Sequence, residues 1–499
     1  MRSNHGKRKL VVLIAFFCLT TTLVSAQKTK LTLDNTITFA CQGSLRALSA
    51  RNTFLASYWK YRSYEAARLP SLSLNMMPLQ YERSFTNRYD SELNQDVFRK
   101  QQSLYSYGTL ALEQNFDLTG GTFYIDSELG YRKNFGGIEY QQFSTVPLRL
   151  GYNQNLLGYN SFKWEKKIEP LKYEKAKKIL LYTMEEISEY AAQYFFTLAM
   201  AQVEFDLAKS SLASSDTLYH IGIERQEIAS ISQADLLTLK LDWVNAGNSL
   251  QNAEINLKKA QFSFFSFLNM DKQADIQLVL PERPTLIDIS AEMALIQLKL
   301  NNPNYLSNHQ SLLEAEQNVD KTIRSSKIEA SLNMSFGFNQ VALNLKESYK
   351  NTQQQDLVSF SLNIPLIDWG VRKGKVNMAK NELNVTQLTV QQDEISLEED
   401  IVITVNEFTM QQKQINSAEE AKLLSDLAYN ATKERYLIGK ADMSSLTLAL
   451  NRKESARKNY ISALSNYWMS YFKIRKLTLF DFAMSEPLTK DFEKKYGIH

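Results

Sequence analysis

Four histidines, two cysteines and a few clustered carboxylates are the residues with which this 499-residue chain could do chemistry. His5, His220, His309 and His499 stand alone, and none has a second His or Cys at metal-ligand spacing, which argues against a metal centre. There is no G-x-S-x-G elbow. The nearest approach to a phosphate loop is Gly374-Lys375, but Trp369 stands where the earlier glycine is needed and Val376 where a Ser or Thr should be. Glu185-Glu186 and Glu398-Glu399-Asp400 sit in long stretches without Gly or Pro and read most simply as solvated helix faces. No catalytic constellation forms, so the chain is expected to be neither an enzyme nor a cofactor carrier.

The N-terminus is basic through Lys9, apolar from Leu10 to Val24, and small at Val24-Ser25-Ala26, the pattern of a leader cut before Gln27. An apolar run of about 15 residues is short for a membrane anchor. Cys18 lacks the small residues that precede a lipoprotein cysteine. Cys41 would then be the only mature cysteine, so no intramolecular disulfide is expected. The formal charge is +3, and removing Arg2, Lys7, Arg8 and Lys9 leaves a balance of −1, too even for a nucleic-acid binder. Mean hydropathy is −0.33, and no later window approaches 18 consecutive apolar residues, so a polytopic helical membrane protein is excluded. An exported chain remains, periplasmic, secreted or crossing a membrane as β-strands.

The elements that would position any site are long helices. Leu171 to Ile221, Lys375 to Ile438 and Lys440 to Glu486 contain neither Gly nor Pro, and Ile223 to Leu280 contains only Gly247. A helix of about 64 residues is on the order of 100 Å long and must pack along another helix rather than inside a compact core. The seam shows as two heptad columns. Leu236, Trp243, Leu250, Leu257 and Phe264 form one, and Leu239, Ala246, Ala253, Ala260 and Phe267 the other.

The chain also repeats itself. A shift of 210 places Arg225, Ile228-Ala229 and Leu236 on Arg435, Ile438-Gly439 and Leu446, and Leu239, Ala246 and Ala253 on Ala449, Ala456 and Ala463. Ser71 to Met76 matches Ser331 to Phe336 at 260, so the first repeat carries an insertion of about 50 residues between Tyr81 and Thr145. Between the helices the period falls to two. Leu332, Met334, Phe336 and Phe338 alternate with small or polar residues, as do Val358, Phe360, Leu362 and Ile364. The first repeat does the same at Leu72/Leu74/Met76 and Val146/Leu148/Leu150/Tyr152, and its insertion adds Leu104–Phe116 and Phe123–Tyr131. Such strands of about 9 to 11 residues fit a transmembrane barrel, with Leu332, Met334, Phe336, Phe338, Val358, Phe360 and Leu362 facing lipid. Tyr159, Trp164 and Trp369 follow the last strands, where aromatics suit a membrane–water interface or, equally, helix packing.

The order helix, Leu69-Pro70-Ser71-Leu72, strands, long helix, tip, long helix, then the unit again, resembles the TolC-like outer-membrane efflux and secretion channels. Asn302-Pro303-Asn304-Tyr305-Leu306, Ile364-Pro365-Leu366-Ile367-Asp368-Trp369-Gly370 and Arg435-Tyr436-Leu437-Ile438-Gly439-Lys440 carry the resemblance, which spans about residues 31 to 480. It implies a mixed α/β membrane protein of two repeats. Helical hairpins form a periplasmic α-barrel, and strands shared among three identical chains form one outer-membrane β-barrel. The expected divisions are a leader at 1–26, a first repeat at 27–280 (strands about 71–157, hairpin 160–270), a second at 281–486 (helix 288–327, strands 329–365, hairpin 371–480) and a tail at 487–499. Four strands per chain give the family's twelve; six would give eighteen, unless the extra hairpin lies outside the ring.

The resemblance also implies the partners: a periplasmic adaptor (membrane fusion protein) and an inner-membrane RND or ABC transporter, in a tripartite efflux pump or type I secretion system. The tips carry the adaptor contact and gate. On this chain they map to Ala229, Ser230, Ile231 and Asp235 in the first repeat. In the second they map to Arg435, Tyr436, Gly439, Lys440, Ala441, Asp442 and Ser445. Ser445 and Leu448 fall where the family's model channel has gate aspartates, so that acidic ring is missing here and Asp235 and Asp442 remain. For Asp235 a helix-start carboxylate is the plainer reading. The competing function is a periplasmic coiled-coil adaptor or scaffold without a pore. A surface adhesin using the insertion is a third.

Overall fold

The structure, a computed structural model, describes the chain except residues 1–28, 136–138, 229–230, 272–275, 439, 491, 493–495 and 498–499. The expected leader lies outside the described residues. Strand β1 (Thr29–Leu31) leads into α1 (Leu33–Gly43), whose N-cap Thr32 accepts from the Asn35 amide at 3.3 Å, and α2 (Leu45–Ala66) follows. Next come β2 (Ser71–Asp90), β3 (Gln95–Asn115), β4 (Thr122–Asn134) and β5 (Tyr140–Asn155). Helices α3 (Ser161–Glu227) and α4 (Gln233–Leu268) make the first hairpin. The short β6 (Ile276–Leu278) pairs in parallel with β1.

The second half repeats the plan with α5 (Ala291–Asn301), α6 (Pro303–Ser325), β7 (Glu329–Ala342), β8 (Gln353–Asn363), α7 (Val371–Leu437) and α8 (Met443–Thr478). A small turn of β9 (Phe480–Asp481) and β10 (Glu486–Pro487) follows. The single helix expected over 288–327 is divided. Pro303 cannot continue α5 but suits the first turn of a new helix, and Asn302 caps that turn by accepting from the Asn304 amide at 2.8 Å. Helices α3 and α7 are each 67 residues long and start 210 positions apart; α4 and α8 are each 36 residues long at the same offset.

All six alternating stretches are strands of one antiparallel sheet ordered β2-β3-β4-β5-β7-β8, with β2 and β8 at its edges. The strands of the insertion therefore stand within the sheet, between β2 and β5. Past Ser103 the ladder from β3 to β4 ends, and β2 and β3 continue as a two-stranded ribbon for eight more residue pairs. Among the described residues no helix is long and apolar enough to cross a membrane.

The chain divides into two compact units. One gathers the segment up to Arg51, Leu181–Leu298 and Ile401–Glu493; the other gathers Asn52–Leu180 and Lys299–Asp400 and holds the six-stranded sheet. In the first unit both hairpins are antiparallel. Tyr219 stacks on Trp243 and Tyr194 on Phe267, while Lys453 lies over Tyr429 and Phe408 packs against Tyr467. Ala246, Ala253 and Phe264 of the heptad columns are buried at the seam. At the root of α8, Arg475 is held between two carboxylates, 3.0 Å from Glu185 and 2.9 Å from Asp481, and Asp481 also accepts from the Tyr471 hydroxyl at 2.8 Å. In the second unit Tyr61 lies parallel to Tyr173 with ring centroids 4.7 Å apart.

Candidate functional site

Each hairpin turns back through a capped helix start. At the first tip Ser232 caps α4: its hydroxyl accepts from the Asp235 amide at 3.1 Å, and the Asp235 carboxylate accepts from the Ser232 amide at 3.1 Å and its hydroxyl at 2.6 Å. At the second tip Asp442 caps α8, accepting from the Ser445 amide at 2.7 Å. The two tips thus exchange residue types, with hydroxyl then acid in the first and acid then hydroxyl in the second. Hydrogen bonds from Ser232 hold the Asp235 carboxyl below its ordinary range, and those from Ser445 do the same for Asp442. Both carboxylates are exposed.

The first tip and the start of α8 line a groove with a volume of about 780 Å³. Ile231, Asp235 and Tyr436 lie in it, as do Ser444 and Leu448. Lys440 donates its amide to the Arg435 carbonyl at 2.8 Å and accepts from the Arg435 guanidinium at 3.5 Å, which closes the second tip; Ala441 is half-buried beside it. Ala229, Ser230 and Gly439 lie outside the described residues. The groove adds residues that the sequence reading did not assign to the tips, among them Gly222, Arg225 and Asp242. Gly222 marks a close approach, since a Cβ there would come within 2.6 Å of Leu239. Asp242 could have been found, because it follows Asp235 by seven residues and so shares its helix face.

The second candidate surface is the sheet. One row of facing residues runs Leu72, Leu112, Ile125, Leu150, Phe336 across five strands. The row beside it on the other face runs Ser73, Ala111, Asp126, Arg149, Gly337. The apolar side is exposed: Leu72 at 68%, Phe336 at 46%, Val358 at 74%, with Met334, Phe338, Phe360 and Leu362 also in the open and Leu332 half-buried. A water-facing surface rarely carries so broad an apolar band. On the opposite face Arg149 binds Asp126 through Nε at 3.0 Å.

The three aromatics beyond the strands differ in setting. Trp369 is 95% exposed, at a turn where Asp368 accepts from the Gly370 and Arg372 amides. Trp164 donates its indole N–H to Asp320 at 2.9 Å under the Lys167 ammonium, and the Tyr159 hydroxyl accepts from Gln317 at 2.6 Å. Both of these are tied to α6. Among the described residues no group of His, Cys, Asp or Glu could hold a metal ion.

Residues 301–478 match the family model described as outer membrane efflux protein. No curated protein matches the chain. Three solved structures are similar to it throughout. The Campylobacter jejuni CmeC outer membrane channel is 15% identical, with 93% of this chain and 88% of that one covered and a TM-score of 0.65. A membrane protein from Pseudomonas aeruginosa is 14% identical, with coverage of 89% and 90% and a TM-score of 0.62. The open-state MtrE outer membrane channel of Neisseria gonorrhoeae is 14% identical, with coverage of 89% and 88% and a TM-score of 0.58. At such identities the likeness is one of fold. Residues 301–478 are thus similar to the outer membrane efflux protein family, and the chain as a whole shares the fold of these outer-membrane channels.

Proposed function

We propose that the chain is one protomer of a homotrimeric outer-membrane channel, the passive exit duct of a tripartite efflux pump or type I secretion system. The observation that carries this reading is the sheet, with one face apolar and exposed, the other polar, and both edges open. In hydrocarbon every backbone polar group needs a partner, so a six-stranded sheet can enter a membrane only by closing on further copies of itself. Three copies would supply eighteen strands. At a spacing of about 4.8 Å and a tilt of about 40°, eighteen strands make a wall about 36 Å across, against about 24 Å for twelve. The equal lengths and common offset of the two hairpins support an internal duplication, and three chains would bring six hairpins to one helical tube. The tips, with Asp235, Tyr436, Asp442 and Ser445, would meet the adaptor and bias a gate, the duct itself supplying no energy.

A pore-free periplasmic scaffold would leave the band from Leu72 to Leu362 in water and gives it no role. The test is negative-stain microscopy of the mature protein extracted from outer membranes. Three-fold particles with a helical stem on the order of 100 Å long are expected. Monomeric particles in the soluble periplasmic fraction would overturn the channel and favour the scaffold.

A further inference from the structure

The polar face of the sheet is not uniform. On β2, β5, β7 and β8 it carries mainly small and polar residues, such as Ser73, Asn153, Asn333 and Ser359, with Met77, Val146 and Leu357 as apolar exceptions. Of its aromatic rings, Tyr105, Tyr107 and Tyr124 sit on β3 and β4, the inserted strands, and Tyr140, opposite Asn134, stands at the start of β5. Tyr105 and Tyr107 have ring centroids 5.5 Å apart, and the Arg132 guanidinium stands 5.3 Å over the Tyr105 ring. Tyr124 lies flat against the neighbouring strand at Gly151, where a Cβ would overlap its ring. Tyr105 reaches to Gly130, 3.6 Å from the position of a Cβ. Gly151 thus lets the Tyr124 ring lie along the wall, while at Gly130 a Cβ would meet Tyr105 in ordinary contact. Tyr105, Tyr107 and Tyr124 are half-buried.

From Tyr124 to the level of Arg132 is eight residues of strand, about 27 Å. Between them lie the Asp126–Arg149 pair and Glu128, and Glu113 stands opposite Tyr124, so charges of both signs, three acids and two bases, are interleaved along the track. A ligand suited to it has flat, CH-rich faces for the rings, many hydroxyls for the carboxylate and guanidinium groups, and no net charge. That is a neutral oligosaccharide. An aromatic cation would find the rings, but the Arg132 guanidinium already stands over Tyr105 and would repel it.

We propose that the inward face of β3 and β4 is a binding track for a neutral oligosaccharide chain, free or as the glycan of a larger molecule, passing through the barrel. The inference rests on the duct reading, in which the polar face lines the lumen. It makes the insertion a cargo-selective part of the wall and not only a widening of it.

The test is titration calorimetry of maltohexaose into intact trimers, held in a detergent without a sugar headgroup, with tetraphenylphosphonium as the aromatic-cation comparator. Saturable binding of maltohexaose is expected. Tyr105→Ala/Tyr107→Ala/Tyr124→Ala should weaken it by about tenfold or more, while the matching Phe variant keeps it within about threefold. Should the triple Ala variant not assemble, Tyr107→Ala alone, whose ring covers no glycine, and Arg132→Gln are expected to weaken binding in assembled trimers. Trimers that bind no maltohexaose, or bind it equally well in the Ala variants, or bind only the cation, would overturn this inference and leave the duct standing. Particles that are not trimeric would overturn the duct and the inference together.

Discussion

Tyr219 stacks on Trp243 with ring centroids 5.8 Å apart and planes 15° from parallel, and 210 positions later Tyr429 and Lys453 occupy the same two places with the ammonium 4.7 Å over the ring. The hairpins keep one register but hold it by different forces. All four residues are half-buried; the aromatic pair contributes about 0.5–1.5 kcal/mol beyond its area and the cation–π pair about 0.5–1 kcal/mol, and truncating Trp243 also removes the larger apolar area. Trp243→Ala is therefore expected to lower the melting temperature of assembled protein more than Lys453→Ala. Equal shifts, followed by the helical circular dichroism signal, would contradict this account.

The exchanged caps lead to a second expectation. Ser232→Ala removes a helix cap and should cost about 1 kcal/mol. Ser232→Asp combined with Asp235→Ser gives the first tip the chemistry of the second and should restore the parent's protection of the α4 amides in hydrogen exchange. A double variant as poorly protected as Ser232→Ala would show that the two tips are not interchangeable.

Arg475 faces Glu185 and Asp481 where α8 ends, and burial and charge are opposed there: burial alone would lower its pKa, but the two carboxylates raise it. Arg475→Ala leaves the acids facing each other in a nearly dry site and should destabilise by about 3–5 kcal/mol. Arg475→Ala with Glu185→Gln should recover part of that loss, since one of the two stranded charges is gone. Additive losses in chemical denaturation would mean that the three groups are not coupled.

The phase of the sheet can be tested on neighbouring residues. Met334→Arg places a charge on the apolar face, at a cost of about 2–4 kcal/mol near the middle of a bilayer. Asn333→Arg, one residue away, points to the polar face and should be tolerated. Heat-modifiable oligomers on gels should disappear for the first and persist for the second; the reverse would invert the assignment of the faces.

Asp368 supplies the acid-side expectation. Its bonds from Arg372 and Gly370 lower its pKa from 3.8 to about 2. A carboxyl depressed in the folded state stabilises above its unfolded pKa, and that contribution is lost as pH falls through the folded value. The difference in melting temperature between parent and Asp368→Asn should be constant from pH 7 to 5, shrink below about 4 and vanish near 2. A difference that grows in acid would contradict the assignment.

Alternation and heptads made most of this architecture legible. Leu332 to Phe338 read as a strand from four residues, and Ala246, Ala253 and Phe264 marked the buried side of α4. The ends were less legible. Strand β2 reads as Leu72 to Met76 yet runs to Asp90, because Glu82 to Asp90 pair with β3 through the backbone while polar side chains on both faces erase the alternation. The tip turns were located by the repeat, but the roles of Asp235 and Asp442 as caps needed backbone geometry, and Gly222 showed its purpose only once Leu239 stood opposite. The site at Arg475 had no signal: Glu185 reads as part of a solvated helix face, yet its side chain is 12% exposed and pairs with Arg475, 290 residues further on. The tyrosine track was equally silent, because Tyr105 and Tyr124 are unremarkable until the register puts them on one face.

Four of the five ladders in the large sheet join strands that follow one another in the chain; the fifth, between β5 and β7, joins Leu150 to Phe336 across nearly two hundred residues. Local ladders close quickly, whereas a distant one must first meet the loop-closure entropy of everything between. The meander β2 to β5 and the β7–β8 hairpin can therefore each form from local ladders before the two are joined. The β5–β7 seam is thus the ladder expected to close last within one chain, and until it closes the edges of β5 and β7 are open besides those of β2 and β8.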